Sequence, residues 1–492
     1  MANNRNLNED ISLEVAEYLE VEDLPSMSQT CRLWCDVSRQ YARFWTNATK
    51  AIPFAHYSRL APLSEQGLDE IRKAAVRTGN SRREWRSAEN VQPKSVFRLH
   101  ENLKRAHFVQ GTKWMLVLPL KWDEIPSDQL TVSVKCYDLT TGRLAGSVDM
   151  TLDTTVQAFA PSWHTSVAVS STEIIVGIER YCKWSQYSVY YLQRIRLSQS
   201  SETDEITFTA EAISAISDMD CSMGLSRDGR FLSLDQGGGG SLFVYKTDGS
   251  MVPREFTTES DETRYVSFHG DTLMVMGDKT LNVVGIHLPS LLKDWPEEID
   301  EDNTITLPNS NLGTPEGKHT LIRRELDMLS LYRTAILDSS DQTDGSSTDT
   351  SRLEIAYMKE DCCFVLPVMT GPPAQDSVEK SANTLLQNVV VAGAETKVAT
   401  VPQTARLLRS EGYPCQRTLT WFDEDPNTKV RKHSIHVIGV DKPGAVRSLI
   451  SPPNFNEMDY ATIKWIDEAS GLIVMRDERK DVVDAPILVL WV

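Results

Sequence analysis

The residues of this chain that could bind a metal or act as nucleophiles are not spaced as a known site requires. Cys31 and Cys35 lie one helical turn apart, but no two further ligands are nearby to complete a zinc site. His433 and His436 are three residues apart on an expected strand, so their side chains should point to opposite faces of a sheet. We therefore expect the cysteines to pack between helices and the histidines to share no metal.

Sequence motifs for catalysis are also missing. The chain has no G-x-x-x-x-G-K-[ST], no H-E-x-x-H, no G-x-S-x-G and no C-x-x-C. Its glycine-rich stretch, residues 237–240, leads into an expected strand, whereas a phosphate site would need a helix N-terminus there. We therefore predict no catalytic residue, no metal and no cofactor, and a function based on binding.

Length and charge restrict the class of protein. The chain has 492 residues and a formal net charge of −18, and this length predicts two to four domains. The charge argues against a nucleic-acid binder, which would carry a basic surface. No apolar run approaches the roughly 18 residues that span a membrane, and the polar N-terminus is unlike a secretory signal. Eight cysteines without a spacing pattern predict reduced thiols, and hence a cytoplasmic or nuclear chain.

Residues 7–45 predict three short helices, each with an apolar stripe at spacings of three and four. The stripes comprise Ile11, Val15 and Leu19, then Leu24, Met27 and Cys31, then Trp34, Val37, Tyr41 and Phe44 or Trp45. A unit of roughly 40 residues rarely encloses a stable core without a metal, disulfides or a partner. Because no metal-ligand set is present, a partner is the simplest expectation.

This segment resembles an F-box along its whole length. The resemblance rests on Leu7, Asp10-Ile11, Val15, Tyr18-Leu19, Asp23-Leu24, Thr30-Cys31, Trp34 and Phe44-Trp45. The family's usual Leu-Pro opening is Leu7-Asn8 here, without the conformational restriction of proline. The resemblance implies docking to the Skp-family adaptor, and through it to a cullin, of a Skp–cullin–F-box (SCF) ubiquitin ligase. It assigns adaptor binding to Leu7, Ile11, Val15, Leu19, Leu24, Met27, Cys31, Trp34, Phe44 and Trp45.

A basic stretch follows at the end of a helical pattern over residues 67–85. Arg82, Arg83 and Arg86 cluster around Trp85. They could bind an anion or an acidic partner, or they could form a solvated helix end with the tryptophan docking the helix. We favour the solvated helix end because the whole chain is acidic.

From Lys94 onward the hydrophobic period becomes alternating, which predicts short strands separated by turns. Strand–turn–strand units recur around Gly229, Gly270 and Gly471, and the first two are about one propeller blade apart. These units resemble degenerate WD-type repeats. We predict seven blades, with six as the alternative and a two-sheet sandwich array as a third possibility. The whole arrangement resembles F-box proteins common in mushroom-forming fungi.

The predicted fold class is therefore a multidomain α plus all-β chain. Its domains are a three-helix F-box at 1–47, a helical linker at 48–93 and a β-propeller at 94–492. The last strand would leave an exposed sheet edge, so we expect strand 94–99 to pair with 486–492 and close the ring.

Aromatic residues on an expected loop suggest where the propeller could hold a protein substrate. Tyr181, Trp184 and Tyr187 lie between two apolar strands, and exposed aromatic side chains on loops are frequent binding residues. Trp184 could equally fill core between blades.

The leading hypothesis is a non-catalytic substrate-recognition subunit of an SCF ligase that binds a protein substrate and neither nucleic acid nor membrane. Two alternatives remain: an F-box and propeller scaffold acting outside the ligase, and a propeller hydrolase with an incidental helical bundle.

Overall fold

Helices occupy the N-terminal part of the chain and strands occupy most of the rest. The computed structural model describes the following residues, with short gaps inside several ranges: 3–46, 67–118, 129–153, 162–258, 264–307, 334–338, 351–373, 386–407, 418–437, 446–450, 458–477 and 487–491. None of the described helices is long and apolar enough to cross a membrane.

The N-terminal helices are α1 (Asn3–Ala16), α2 (Asp23–Met27), α3 (Arg32–Gln40), α4 (Ala42–Thr46) and α5 (Leu68–Ser87). The third helix of the sequence prediction is divided, because Tyr41 is extended with φ −121° and ψ 114°. The first helix ends at Ala16, so Leu19 lies in the turn after it and not on its stripe.

Helices α1 to α4 do not enclose their apolar core alone. One buried cluster joins them to α5; it comprises Leu13, Ala16, Val21, Leu24, Val37, Phe44, Trp45, Ile71 and Ala75. The last two residues belong to α5 and are 2% and 0% exposed. A helix of the same chain therefore supplies the packing that the sequence analysis assigned to a partner protein.

The strands form a seven-bladed β-propeller, which confirms the predicted fold. Blade one contains β3 (Ala106–Phe108), β4 (Trp114–Val117), β5 (Gln129–Asp138) and β6 (Arg143–Asp153), preceded along the chain by β1 (Asn90–Val91) and β2 (Ser95–Leu99). Blade two contains β7 (Ser162–Ser170), β8 (Glu173–Tyr181), β9 (Tyr187–Gln199) and β10 (Ile206–Met219). Blade three contains β11 (Ser222–Leu225), β12 (Phe231–Asp235), β13 (Leu242–Lys246) and β14 (Arg254–Thr258).

Blades four and five share one eight-stranded sheet. It contains β15 (Arg264–His269), β16 (Thr272–Gly277), β17 (Val283–His287), β19 (Thr334–Asp338), β20 (Ser351–Lys359), β21 (Cys362–Pro373), β22 (Leu386–Val391) and β23 (Thr396–Thr400). Strand β22 pairs with both β17 and β21 and so joins the two blades. Helix α6 (Leu288–Lys293) follows β17, and β18 (Ile305–Leu307) then adds a parallel strand to blade three.

Blade six contains β24 (Arg406–Leu407), β25 (Thr418–Glu424), β26 (Arg431–Val437) and β27 (Arg447–Leu449). Blade seven contains β28 (Ala461–Asp467), β29 (Leu472–Asp477) and β30 (Ile487–Trp491). Two of the recurrent turns use the left-handed region that glycine adopts without strain, with φ 68° at Gly229 and 73° at Gly471.

The two strands that follow α5 complete blades six and seven. Strand β1 pairs in parallel with β27, and β2 pairs antiparallel with β30 from Ser95 opposite Trp491 to Leu99 opposite Ile487. Because side chains alternate along β30, Leu488 and Leu490 pack towards blade six while Ile487 and Val489 pack towards blade one. The last strand thus lies between two neighbouring blades and holds the ring together.

We predict that Leu490→Ala lowers the free energy of unfolding by about 2–5 kcal/mol, the usual range for a buried leucine. Leu490 is fully buried and lies opposite Val96 of β2 and Ile473 of β29. The measurement is urea unfolding followed by tryptophan fluorescence. The matched control is Leu144→Ala, because Leu144 is 54% exposed and should change stability by less than about 0.5 kcal/mol. Equal effects of the two substitutions would contradict the closing role of β30.

Candidate partner-binding site

The first helix carries apolar side chains on two different faces. Leu13 and Ala16 are buried in the helical core, whereas Ile11 is 49% exposed and Val15 is 38% exposed. Since residues four apart lie on the same side of a helix, these two side chains form one exposed apolar stripe. The stripe is part of the predicted adaptor-binding set.

The third helix adds another exposed apolar residue. Leu33 on α3 is 36% exposed and Cys31, just before this helix, is also exposed, and α3 contacts α1. Leu33 was not among the predicted adaptor-binding residues. The apolar stripe predicted for the third helix does not include Leu33. This position outside the stripe could have identified Leu33 as a surface residue.

Three residues predicted to bind the adaptor are instead buried in the chain's own core. Leu24, Phe44 and Trp45 are at most 1% exposed, and the rings of Phe44 and Trp45 meet edge to face at 5.0 Å. The indole of Trp45 also donates to the carbonyl of Ser38 at 2.7 Å. These side chains support the surface and do not form it, because a partner cannot reach them in this conformation.

Other predicted residues have intermediate positions. Leu19, Met27 and Trp34 are half-buried, and the Trp34 ring lies 5.9 Å from that of Phe44. Leu7 lies in α1, but its side chain is outside the described residues.

The first helix is joined to Tyr41 by a hydrogen bond. The phenol of Tyr41 donates to Oε2 of Glu9 at 2.9 Å. This hydrogen bond, together with the negative charge of Glu9, raises the pKa of Tyr41 because both favour the neutral phenol. The hydrogen bond joins α1 to the junction of α3 and α4.

Helix α5 approaches the turn before α2 very closely. A Cβ atom placed on Gly79 would lie 3.0 Å from the carbonyl oxygen of Val21 and 3.2 Å from the Cα of Glu22. Nearby, the guanidinium of Arg83 donates to the carbonyl of Glu22 at 2.7 Å. One arginine of the predicted basic cluster is therefore engaged in docking the helix, while the side chains of Arg82, Trp85 and Arg86 are outside the described residues.

The predicted substrate-binding aromatics flank one hairpin of blade two. Tyr181 ends β8 and Tyr187 begins β9, but their side chains are outside the described residues. Trp184 lies wholly outside them. The role of these residues in substrate binding stays a prediction.

Within the described part of the chain, no group of three or more histidine, cysteine or acidic residues is arranged to hold a metal. His433 and His436 are buried on β26. Burial also raises the pKa values of Cys136 and Cys363 to about 12. Thiols with such values are inert at neutral pH because the thiolate is the nucleophile.

Comparison with protein-family models identifies the helical unit. The model of the F-box domain matches residues 5–45, which span most of α1, all of α2 and α3, and all but the last residue of α4. Residues 5–45 are an F-box domain. Helix α5 therefore completes the F-box core from outside the matched region.

The F-box domain indicates a class of partner. F-box domains in general bind Skp-family adaptors, and F-box proteins are typically non-catalytic subunits of ubiquitin ligases. An F-box joined to a propeller fits a substrate-recognition subunit of an SCF ligase in general. No curated protein matches the chain.

Solved propeller structures resemble the chain at low identity. The WD40 domain of SCAP from fission yeast is 10% identical with a TM-score of 0.38, covering 78% of this chain and 82% of that one. Hsv2p from Kluyveromyces lactis is 11% identical with a TM-score of 0.26, over 62% and 99%. The periplasmic gluconolactonase of Pseudomonas aeruginosa is 14% identical with a TM-score of 0.30, over 70% and 88%. The fold therefore rests on the strand pairing of this chain and not on these similarities.

We predict that Gly79→Val weakens the docking of α5 on the F-box and lowers the free energy of unfolding by about 1–3 kcal/mol. The physical reason is that the neighbouring atoms belong to the backbone of Val21 and Glu22 and cannot turn aside. The measurement is urea unfolding followed by the helical circular-dichroism signal. Asn80→Val is the control, since it places the same β-branched residue at the next, exposed position. If the control lost as much stability, helix propensity and not the close contact would be responsible.

Proposed function

We propose that this chain is a non-catalytic substrate-recognition subunit of an SCF ubiquitin ligase. Its F-box binds a Skp-family adaptor, and through it a cullin, while its propeller binds a protein substrate. The observation that carries the proposal is the exposed stripe of Ile11 and Val15 on an F-box domain whose core is otherwise closed.

Ile11 and Val15 are exposed, whereas other apolar residues of the same helix are buried. Leu13 and Ala16 of α1 fill the core and leave the stripe facing outward. Burying an aliphatic side chain completely contributes about 1.5–3 kcal/mol, so covering this stripe with a partner is favourable. The F-box thus offers a partner an apolar surface that its own folding does not use.

The linker supports a role in proximity. Strand β1 pairs with blade six and β2 pairs with blade seven, so the segment after α5 is part of the propeller sheets. An adaptor on the F-box and a substrate on the propeller would be held at a defined separation. Catalysis by proximity requires only that the subunit position its substrate near the transferring enzyme.

The substrate would bind to loops of the propeller, with the hairpin from Tyr181 to Tyr187 as the candidate region. Such a chain would act in the cytoplasm or the nucleus, where SCF ligases have their substrates. The propeller then determines which protein is modified, and the F-box determines that ubiquitin is the modification.

We predict that Ile11→Asp combined with Val15→Asp lowers recovery of a Skp-family adaptor at least about tenfold, because two carboxylates would be desolvated in an apolar contact. The measurement is pull-down of purified adaptor by the full chain. Leu144→Asp combined with Val446→Asp is the control, since it places the same two charges on exposed aliphatic residues of the propeller. Substitution of Leu24 is unsuitable because this residue lies in the F-box core.

The experiment also measures thermal unfolding and recruitment of cullin. The double variant should retain the thermal unfolding transition of the unsubstituted chain, because both positions are exposed. Equal recovery of adaptor by the variant and the unsubstituted chain would refute the stripe as the binding surface. Binding of adaptor without recruitment of cullin would refute the ligase role and identify a scaffold.

A further inference from the structure

A basic cleft lies beside the F-box, on the side of α5 that does not enter the helical core. Its volume is about 630 Å³. The lining residues are Asp69, Arg72, Lys73, Val76, Arg77, Asn80 and Lys94. Four of these seven side chains are cationic and one is acidic, in a chain whose net charge is −18. The local charge of the cleft is therefore opposite to that of the whole chain.

Helix α5 has two distinct faces that explain the position of this cleft. Ile71, Ala75 and Thr78 are buried against the F-box, whereas Arg72, Lys73 and Arg77 are exposed. Lys94 comes from the segment that leads into β2 of the propeller. The cleft is consequently bounded by the linker helix on one side and by the start of the propeller on the other.

One wall residue is positioned by the F-box itself. The guanidinium carbon of Arg72 lies 5.9 Å from the centre of the Trp45 ring, a distance at which a cation is attracted to an aromatic face. Trp45 is buried and fixed by its hydrogen bond to Ser38. The cleft thus contains a cation whose place depends on the folded F-box core.

The spacing of the cations matches that of side chains on an extended peptide. Lys73 and Arg77 are four residues apart on a helix, which places them on the same face and about 6 Å apart along its axis. Alternate side chains on an extended chain are about 6.6 Å apart and face the same way. Two acidic residues separated by one residue could therefore meet Lys73 and Arg77 together, and Arg72 and Lys94 add positive charge to the same cleft.

We propose that this cleft binds an extended acidic peptide segment of a partner protein, with acidic side chains at alternate positions. This site is separate from the adaptor surface on α1 and from the propeller loops, and the proposal does not depend on the ligase role. Opposite charges attract over about 8 Å at physiological ionic strength, so the cleft acts on nearby carboxylates. A long polyanion such as nucleic acid would instead meet the negative charge of the remaining surface.

The proposal is tested by fluorescence anisotropy with the full chain and a labelled peptide of alternating glutamate and serine. Lys73→Glu combined with Arg77→Glu should weaken binding at least about fivefold, because two attractions become repulsions. The control variant combines Arg143→Glu with Lys432→Glu, which makes the same change of net charge at exposed positions of blades one and six. We expect the control variant to change affinity less than about twofold, since it makes the same change of net charge without altering a residue that lines the cleft.

Further arms separate the proposal from its alternatives. A peptide with glutamine in place of glutamate should not bind, and raising the salt concentration should weaken binding of the acidic peptide. Lys73→Gln combined with Arg77→Gln provides a second variant that adds no negative charge. Adaptor pull-down by each variant reports whether the F-box remains folded, and it distinguishes failure of this proposal from failure of the ligase role.

Three results would overturn the proposal. The first is absence of binding of the acidic peptide by the unsubstituted chain at low salt. The second is equal binding by the unsubstituted chain and the reversed-charge variant. The third is tighter binding of a single-stranded oligonucleotide of equal charge, which would indicate a phosphate-backbone site in place of a peptide site.

Discussion

Ile71 and Ala75 of α5 enter the core formed by Leu24, Phe44 and Trp45, and the organisation of the molecule depends on this contact. Four short helices of the F-box expose too much apolar surface to be stable alone. Helix α5 covers that surface from within the same chain. At Gly79, α5 lies so close to the backbone of Val21 and Glu22 that little room is left for a Cβ atom. The core of the F-box is therefore completed by a helix of its own chain.

Helix α5 also connects the F-box to the propeller. Its other face lines the basic cleft, and the segment that follows it supplies β1 to blade six and β2 to blade seven. Hydrogen bonds to strands of two sheets therefore fix the chain a few residues after α5 ends. A flexible linker would allow a wide range of separations between two binding sites, whereas strands inside a sheet have a fixed register. The register of β1 and β2 therefore fixes where the chain enters the propeller after α5.

The propeller and its closure could be predicted from the sequence because they depend on local patterns. Alternating apolar residues specify strands, and glycines such as Gly229 and Gly471 mark turns that other residues enter only with strain. A terminal strand such as Ile487–Trp491 needs a neighbour, and Ser95–Leu99 is the segment that pairs with it. The F-box was likewise recognisable by the order of its apolar residues, which the family match confirms.

The division of the F-box residues between core and surface could not be predicted in the same way. Helical periodicity shows that Ile11 and Val15 share a face, but α1 has a second apolar pair in Leu13 and Ala16. Only tertiary packing decides which pair is covered. Similarly, Tyr41 continues a helical stripe in the sequence, yet its extended backbone divides α3 from α4. The basic cleft was missed because the sequence does not show that Lys94, which follows α5, lies beside Arg72, Lys73 and Arg77 in the folded chain.

The exposed stripe alone is too small to account for stable adaptor binding. Ile11 and Val15 are already half-covered, so a partner gains only part of the transfer free energy of two aliphatic side chains. Stable interfaces generally bury about 1,200–2,000 Å² in total, which corresponds to some 20 or more residues on each side. An adaptor bound as proposed would therefore contact more of the F-box than α1. Leu33 and Cys31, at the start of α3, are also exposed, and α3 contacts α1. Because α3 is anchored by Val37 in the core that α5 completes, the shape of the enlarged surface depends on the linker helix as well.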